Sequence, residues 1–345
     1  MSMSSLPGPA GAPEQPDSLA QAQQPRRRRW GWPAVALLVV VVLVVVAVKP
    51  GHVVTGAKTV MVYAAQDQVY AEPILREFTA ATGIRVRAVY DSEAVKTVGL
   101  ANRLLAERHR PQCDVFWGNE ELRTRQLAAA GVFRPSNGWA AFGYRSRRLV
   151  FRSLAAADVG GPTDPPGSLL ELTNTVWRRR VSLAYPLFGS TSTHFMALRQ
   201  HWGPARWEAW CRALAANQPF LEEGNSHVVR RLARGEALVG LTDSDDIAAA
   251  QREGLAIGQV LPLQPELLLI PNTVAVIHNA PHPDSAQRLF EFLQQPAVVA
   301  QLVAVHALEG MSPAEVTVLT LRPDWDALLR DLDAATEAMR RIFLR

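Results

Sequence analysis

Three aspartates stand within four residues in the segment 240–246 (GLTDSDD), and their carboxylates are well suited to hold a ligand. Asp243, Asp245 and Asp246 directly follow an apolar segment, 237–241, that has the composition of a buried strand. Open α/β sheets bind their ligands at the carboxyl ends of the strands, so these side chains are predicted to face such a crevice. The alternative is that a residue here caps the helix that follows, while the other acids are solvated.

A second group of polar residues could hold an anion at the start of a predicted helix. The segment 188–194 (FGSTSTH) follows a predicted strand and opens a helix, so Ser190, Thr191 and free backbone N–H groups could bind an anion there. Asn225 stands in the same arrangement at another helix start. Arg145 could meet the same anion bidentately. The alternatives are plain capping of both helices, and a salt bridge or a solvated strand face for Arg145.

A further polar pair, Asn119 and Glu120, follows the apolar segment 113–117 (CDVFW). The same argument places this pair at the carboxyl end of a strand, within reach of the ligand. The alternative is a turn and a cap before the helix that is predicted at 122–129.

The position of these polar groups depends on an alternation of strands and helices along the chain. Strands are predicted at 59–63, 85–90, 113–117, 139–151, 181–184, 237–241, near 257–261, and at 267–278 with a break at Pro271. Helices are predicted before Gly83, at 98–108 and 122–129, within 193–217, after Asn225, and at 247–253, 284–294, 297–308 and 324–343. The order predicts a mixed α/β fold whose parallel strands are joined by right-handed crossovers. A loop rich in Pro and Gly at 158–167 precedes the second α/β set, and a cleft between two such lobes is a favoured ligand site.

The first 58 residues are predicted to lie outside the folded body. Residues 1–29 form a disordered tail that ends in four arginines, because a segment rich in Pro, Gln and Ser cannot build a core. Residues 30–48 carry no charge, and as a helix they span about 28 Å, close to the hydrocarbon thickness of a bilayer. This stretch is predicted to be a transmembrane anchor with the tail in the cytoplasm, followed by a linker at 49–58. A cleaved signal peptide is the alternative, and either way the body is exported.

The excess positive charge of the chain belongs to this N-terminal part. Residues 1–58 contain six Lys and Arg and two acidic residues, so 59–345 contains 30 residues of each sign. The neutral body gives no indication of a nucleic-acid partner. Cys113 and Cys211 fall in different predicted lobes and are expected to be buried apolar residues, since their spacing does not establish a disulfide.

The exported part resembles the periplasmic solute-binding proteins of ABC importers and is most similar to the branch that binds ferric iron. The resemblance covers most of 59–310 and rests on the order and spacing of these phrases: VYAAQDQ from 62, TGIRV from 82, VYDSEA from 89, DVFWGNE from 114, PLFGSTSTH from 186, GNS from 224, GLTDSDD from 240 and IPNTVAVI from 270. It implies the type II two-lobe fold with two hinge crossovers. In that fold 59–150 is the first part of lobe 1, 151–268 is lobe 2, and 269–345 returns to lobe 1 and adds the C-terminal helices.

The positions that bind ligand in the family carry other residue types here. Asp67 stands where the family has a His after the first strand, and Asn119, with Glu120 next to it, stands where the family has a Glu. In the family, an arginine of a GxRxR strand binds a co-ordinating anion. The matching segment here, GYRSR, supplies Arg145 and Arg147. The resemblance implies that these residues face the solute or its anion.

Asp245 and Asp246 stand where the family has a pair of tyrosines that hold ferric iron. Tyrosinates are hard anionic oxygen donors, and carboxylates are hard donors too, which suit Mg, Ca, Mn or ferric ions. Together with Asp243 the pair could hold a metal ion such as Fe(III). It could instead hydrogen-bond a cationic or hydroxyl-rich organic solute. No other cofactor is indicated.

The predicted function is an extracytoplasmic solute receptor that feeds an ABC importer. It binds a metal ion, a small anion or an organic solute through closure of the lobes, and it catalyses no reaction. Its expected partners are a transporter permease and the membrane, and it is expected to act as a monomer on the periplasmic side. The alternatives are an extracellular sensor or docking domain, and a metal-dependent hydrolase that uses the three aspartates; the sequence has no histidine close to them and no nucleophile elbow.

Overall fold

Apolar strands and amphipathic helices alternate along the chain and fold into one mixed sheet with helices packed against it. The structure is a computed structural model that describes residues 58–90, 96–152, 162 and 164–344. The strands are β1 (Thr59–Ala64), β2 (Arg85–Tyr90), β3 (Val115–Gly118), β4 (Trp139–Phe151), β5 (Val181–Ala184), β6 (Phe220–Glu222), β7 (Val239–Asp243), β8 (Gln259–Leu261) and β9 (Leu269–Val276). The α-helices are α1 (Gln68–Thr82), α2 (Lys96–Glu107), α3 (Glu121–Ala129), α4 (Gly189–Trp202), α5 (Pro204–Ala216), α6 (Asn225–Ala233), α7 (Ser244–Arg252), α8 (Pro283–Leu293), α9 (Pro296–Ala304) and α10 (Trp325–Phe343). Short 3-10 helices lie at Leu169–Thr173, Thr175–Trp177 and Pro313–Glu315.

The strands form one sheet in the order β2-β1-β3-β9-β4-β7-β5-β6, and β8 pairs with the end of β4. The groups β2-β1-β3 and β7-β5-β6 are each parallel, with helices between consecutive strands, as the sequence predicts. β9 is antiparallel to β3 and to β4, and β4 is antiparallel to β7. The sheet is therefore parallel at both ends and antiparallel in the middle, where β4 and β9 join the two ends.

Two large apolar cores lie on the two halves of this sheet, and β4 and β9 run through both. Phe142 of β4 and Val274 of β9 belong to the first core, which also contains β1, β2, β3, α1 and α8. Leu149 of β4 and Ile270 of β9 belong to the second core, together with β5, β7, α4 and α5. β4 and β9 therefore connect the two cores.

The chain passes between the cores a third time, through the segment 309–320. After it, α10 packs against α4 and α5 with Leu328, Leu332 and Met339 in the second core. α8 and α9 contribute to the first core, whereas α10 contributes to the second. An amphipathic stripe predicts that a helix is buried, and it carries no information on which core buries it.

The predicted break of the last long strand at Pro271 is wrong, because β9 is continuous through it. Pro271 lies opposite Tyr144, and the register of β4 shifts between Phe142 and Tyr144. Gly143, in this bulge, has a φ of 58°, and its N–H donates to the carbonyl of Met311. Proline cannot donate a hydrogen bond to a sheet, and a bulge is one of the places where a strand tolerates it.

The helices predicted within 193–217 are α4 and α5, which separate at Gly203. The φ of Gly203 is 83°, a conformation that favours glycine. α4 begins at Gly189, so Ser190 and Thr191 lie in its first turn. The sequence missed the strand β6, because three residues are too few to show a period of two.

Both cysteines are buried, as expected, Cys113 in the first core and Cys211 in the second. Burial raises the pKa of both thiols. The structure describes no helix that is both long and apolar enough to cross a bilayer. The tail and anchor predicted for 1–48, and nearly all of the linker, lie outside the described residues.

Candidate functional site

The predicted site residues meet where β4 and β7 run side by side. Arg147 pairs with Asp243 in the antiparallel register of these strands, and Arg145 lies two residues earlier, on the same face of β4. α4 and α6 both begin beside the end of β7, where they place Ser190 and Asn225 against Asp243. The structure thus brings together four segments that are far apart in the sequence.

The Asp243 carboxylate accepts hydrogen bonds from four side chains, which we call the clamp. Arg147 Nη1 donates to Oδ1 at 2.6 Å. Ser190 Oγ, Asn225 Nδ2 and Arg145 Nε donate to Oδ2 at 2.6, 3.1 and 3.3 Å. Arg147 also donates to Asn225 Oδ1 at 3.0 Å, so the members of the clamp bind one another as well. Arg147 is fully buried and Asp243 is 2% exposed, so this ion pair is screened from water.

The clamp keeps Asp243 ionised despite its burial. Burial alone would raise the pKa of this carboxyl group, but the guanidinium groups of Arg147 and Arg145 and the hydrogen bond from Ser190 outweigh it and hold the pKa below its usual range. For Arg145, burial favours the neutral form, and the carboxylates of Asp245 and Asp243 more than offset it, so its pKa is raised. The clamp and Asp243 therefore form a fixed, charged unit.

Asp245, in the first turn of the next helix, α7, does not share the hydrogen bonds that hold Asp243. It is 8% exposed, and its Oδ1 has no hydrogen-bond partner among the described residues. Arg145 Nε lies 3.5 Å from this oxygen, close enough to attract it electrostatically. Burial raises the pKa of Asp245 to about 7; Arg145 opposes the shift, and the nearby carboxylates of Asp243 and Asp67 add to it. A cation that reaches a carboxylate held in this way stabilises its charged form.

A cavity of about 200 Å³ next to these aspartates lies between the two halves of the molecule. Asp67 and Val69 line it from the start of α1, and Asp246, Arg230 and Glu253 line it from α6 and α7. Oxygen atoms of Asp243, Asp245 and Asp246 lie within 4.8 Å of one another, close enough to share one metal ion. Asp67 and Asp246 thus line the cavity, and Asp243 and Asp245 lie next to Asp246 behind it.

Arg145 is held in place by Asn119, a predicted site residue, and by Asn272, which sequence reasoning missed. Arg145 Nη1 donates to the carbonyl of Asn119 at 2.5 Å and to Asn272 Oδ1 at 3.3 Å. Asn272 Nδ2 in turn donates to Gln66 Oε1 at 2.8 Å. Asn272 lies in β9 next to Pro271, inside a strand that reads as apolar, so no local pattern marked it as part of the site.

Glu120 and Thr191 have mainly structural contacts. Glu120 caps α3, since its carboxylate accepts from the backbone N–H groups of Leu122 and Arg123 at 2.8 and 2.9 Å, and it also accepts from Thr193 Oγ1 at 3.0 Å. Burial raises the pKa of Glu120. Thr191 Oγ1 lies 3.5 Å from Asn225 Oδ1, at the edge of the clamp. The capping alternative weighed for Glu120 therefore describes its position in the structure.

A tyrosine and an arginine connect the first core with α7. Tyr70, in the first core, receives a hydrogen bond on its hydroxyl group from Arg252 of α7, whose guanidinium also lies 5.3 Å from the centre of the Tyr70 ring. Burial raises the pKa of Tyr70 to about 12, so the phenol is neutral. The sequence gives no sign of this contact, because an aromatic residue on an amphipathic helix predicts only burial.

We expect Tyr70→Phe to loosen the contact between the two halves. A hydrogen bond to a charged group stabilises by about 1.5 to 3 kcal/mol, and the substitution removes it while keeping the ring. Small-angle scattering should then give a larger radius of gyration for the variant without solute. Tyr90→Phe is the matched control, since the Tyr90 hydroxyl group is buried and has no hydrogen-bond partner among the described residues. An unchanged radius in Tyr70→Phe would contradict a role for the contact in holding the halves together.

The chain is similar to proteins that bind solutes outside the cytoplasm. A family model described as bacterial extracellular solute-binding protein matches residues 59–304. The major ferric iron-binding protein of Neisseria meningitidis serogroup A is 24% identical over 291 residues, which cover 76% of this chain and 84% of that protein.

Solved structures share the fold. Iron-bound HitA from Pseudomonas aeruginosa is 19% identical, with a TM-score of 0.66 over 83% of this chain and 99% of HitA. AfuA from Actinobacillus pleuropneumoniae, with fructose-6-phosphate bound, is 15% identical, with a TM-score of 0.70 over 83% of this chain and 99% of AfuA. The solutes of these two structures differ in chemistry, so the shared fold alone does not identify a solute.

Proposed function

The chain belongs to the family of bacterial extracellular solute-binding proteins, and from this premise we propose that it is the receptor of an ABC-type importer for a cation held by Asp245, Asp246 and Asp67. The receptor acts outside the cytoplasm, as its family does. Its solute enters between the two lobes, and the lobes close around it. The mechanism involves no chemical step, because affinity comes from polar groups that are already in position.

The observation that carries the proposal is the unpartnered Oδ1 of Asp245. A buried carboxylate oxygen without a hydrogen bond costs free energy in the protein without solute, and a cation bound there removes that cost. Asp243 is less suited to the role, because both of its oxygens already accept hydrogen bonds from the clamp. Asp246 and Asp67 line the adjoining cavity and complete a set of oxygen donors.

The balance of charge also favours a cation. The side chains that take part are five acids facing four arginines: Asp67, Asp243, Asp245, Asp246 and Glu253, against Arg145, Arg147, Arg230 and Arg252. One negative charge is left over, and the shortest ionic contact of each arginine of the clamp is with Asp243. Ferric iron is the first cation to test, because carboxylates are hard donors and the relative from Neisseria is a ferric iron-binding protein.

Closure brings the donors of the two lobes together. Asp67 precedes α1 in the first lobe, whereas Asp245 and Asp246 begin α7 in the second. β4 and β9 run through both lobes, so we propose that bending in these strands changes the distance between the two sets of carboxylates. A cation bound by both sets stabilises the closed arrangement, which the permease of the importer would recognise.

We also propose that residues 30–48 anchor the receptor in the cytoplasmic membrane. The stretch is uncharged and follows four arginines, so it would leave the body on the outer side. A transmembrane anchor would keep the receptor close to its permease without an attached lipid. We propose that the receptor acts as a monomer.

The direct test is to load the purified protein with Fe(III)-citrate, Mn(II), Ca(II) and Mg(II) one at a time. Native mass spectrometry and elemental analysis should find one bound metal ion per chain, with a higher melting temperature and a smaller radius of gyration for the cation that binds. Asp246→Asn should weaken binding, and Asp284→Asn, an exposed aspartate in the first turn of α8, is the matched control. A protein that takes up none of these ions, and no organic cation from a screen of amines, would overturn the proposal.

Affinity for the cation is expected to fall in acid. The pKa of Asp245 is about 7 in the protein without solute, so below this pH a proton competes with the cation for the carboxylate. We expect the affinity to fall by up to about tenfold per pH unit from about pH 7 to pH 5, and to level off above about pH 8. Calorimetric titration with Mn(II), which stays soluble over this range, measures the slope. Equal affinity at both ends of the range would contradict Asp245 as a ligand.

A further inference from the structure

The clamp around Asp243 has the composition of an anion-binding site. It consists of two guanidinium groups, a hydroxyl group and an amide N–H, and their donors converge on a single carboxylate. Ser190 lies in the first turn of α4 and Asn225 begins α6, so the partial positive charges of two helix starts face the same point. An external carboxylate or phosphate would find all the usual partners of an anion here.

We propose that the carboxylate of Asp243 permanently fills this anion site. The cation therefore binds without any anion from solution. This inference rests on the proposed function, since it specifies the class of solute. The clamp donors that point at Asp243 are all engaged, with the shortest bonds at 2.6 Å. A dissolved anion would have to displace a carboxylate that is covalently attached and therefore always present at high effective concentration.

The alternative role for the clamp is recognition of a solute that carries its own phosphate or carboxylate. Asp243 opposes this, because a second anion in the clamp would face a buried negative charge at hydrogen-bond distance. Arg145 is not free to turn away, since its Nη1 already donates to the Asn119 carbonyl and to Asn272. One clamp donor, Arg147 Nε, has no hydrogen-bond partner among the described residues, but Arg147 is fully buried. The acceptor left open beside the clamp is Asp245 Oδ1, where we propose that the cation binds. The solute class is thus a cation with no anionic group of its own and no co-bound anion.

The inference predicts chemical rescue. Asp243→Ala removes the carboxylate and leaves a space that a formate ion fits. The donors of the clamp surround this space and could bind the formate. We expect the melting temperature of the variant to be well below that of the natural protein, and saturating sodium formate to restore about half of the loss, with sodium chloride at equal ionic strength as the reference. Formate should leave the melting temperature of the natural protein unchanged. Asp243→Asn, which fills the space with a neutral amide, should show no rescue.

A second measurement keeps the inference testable if Asp243→Ala does not fold. In the natural protein, the affinity for Mn(II) in chloride buffer should change less than twofold when either phosphate or bicarbonate is added. The free Mn(II) concentration is first corrected for the complexes that each anion forms with Mn(II) in solution. Rescue of Asp243→Ala by formate, or anion-independent binding of Mn(II), supports the inference. A Mn(II) affinity that rises more than tenfold with either anion, or a folded Asp243→Ala that formate does not stabilise, overturns it.

The two proposals fail separately. The formate titration is performed without any cation, so its result concerns the clamp alone. If formate rescues Asp243→Ala but the natural protein binds no cation, the proposal of a built-in anion stands and the proposal of a cation receptor is overturned.

Discussion

Replacing Asp245 by asparagine should make the protein without solute more stable and remove its ability to hold the cation. The pKa of Asp245 is raised from 3.8 to about 7, so the folded protein binds the proton more tightly than the unfolded chain does. The charged carboxylate therefore lowers stability in full above about pH 7, and this cost disappears as the pH falls towards 4. Asparagine has nearly the same shape and no charge, so we expect a gain of about 1 to 3 kcal/mol at pH 8.

Urea unfolding at pH 8 and at pH 5 measures this gain, and the gain at pH 5 should be less than half of that at pH 8. Titration with Mn(II) on the same variant should show a loss of about 100-fold or more in affinity, because one charge of a buried pair has been removed. Asp284→Asn should change neither quantity. A variant that is less stable than the natural protein at pH 8 would mean that the Asp245 carboxylate has a stabilising partner and is not held ready for a solute.

Arg147→Met should have the largest effect on stability, a loss of about 3 to 5 kcal/mol. Methionine fills much of the volume of arginine, so the loss of stability measures the effect of removing the charge of Arg147. Without Arg147, the buried carboxylate of Asp243 loses its shortest ionic contact, at 2.6 Å, and Asn225 and Leu241 lose a donor. The variant is expected to unfold at a lower urea concentration with a similar slope.

The neighbouring residue offers a matched control for this experiment. Arg148 lies on the opposite face of β4, pairs with Glu309 at 2.7 Å and is 30% exposed, so Arg148→Met should cost less than about 1 kcal/mol. Combining Arg147→Met with Asp243→Ala should cost less than the sum of the two single changes, because neither charge is then left alone. Additive losses would show that Arg147 acts through packing and not through its ion pair with Asp243.

The sequence predicted most of the elements of the fold, because each of them has a local cause. Strands such as 181–184 and helices such as 284–294 follow from short apolar runs and from an amphipathic period with a proline at the start. The continuity of β9 through Pro271 could not be predicted, since it depends on a bulge at Gly143, more than 100 residues away. The placement of α10 in the second core likewise depends on tertiary packing.

The site shows the same division between local and long-range causes. Asp243, Ser190 and Asn225 could be found by their types and by their positions at strand ends and helix starts. Their convergence could not be predicted, because it depends on the register that sets Arg147 opposite Asp243 across β4 and β7. Sequence reasoning treated the aspartates and the anion-binding groups as separate candidates. In the structure, one of the aspartates occupies the position that the anion-binding groups surround.

The third passage of the chain between the cores has a consequence for biosynthesis. The second core needs Leu328, Met339 and other residues of α10, which is synthesised after the rest of that core, whereas no described residue of the first core lies beyond Leu308. A chain that lacks its final 20 residues therefore has one finished lobe and one with exposed apolar surface. The strands β4 and β7, which carry Arg147 and Asp243, contribute Leu149 and Leu241 to this second core, so the clamp is expected to become stable only after α10 has packed.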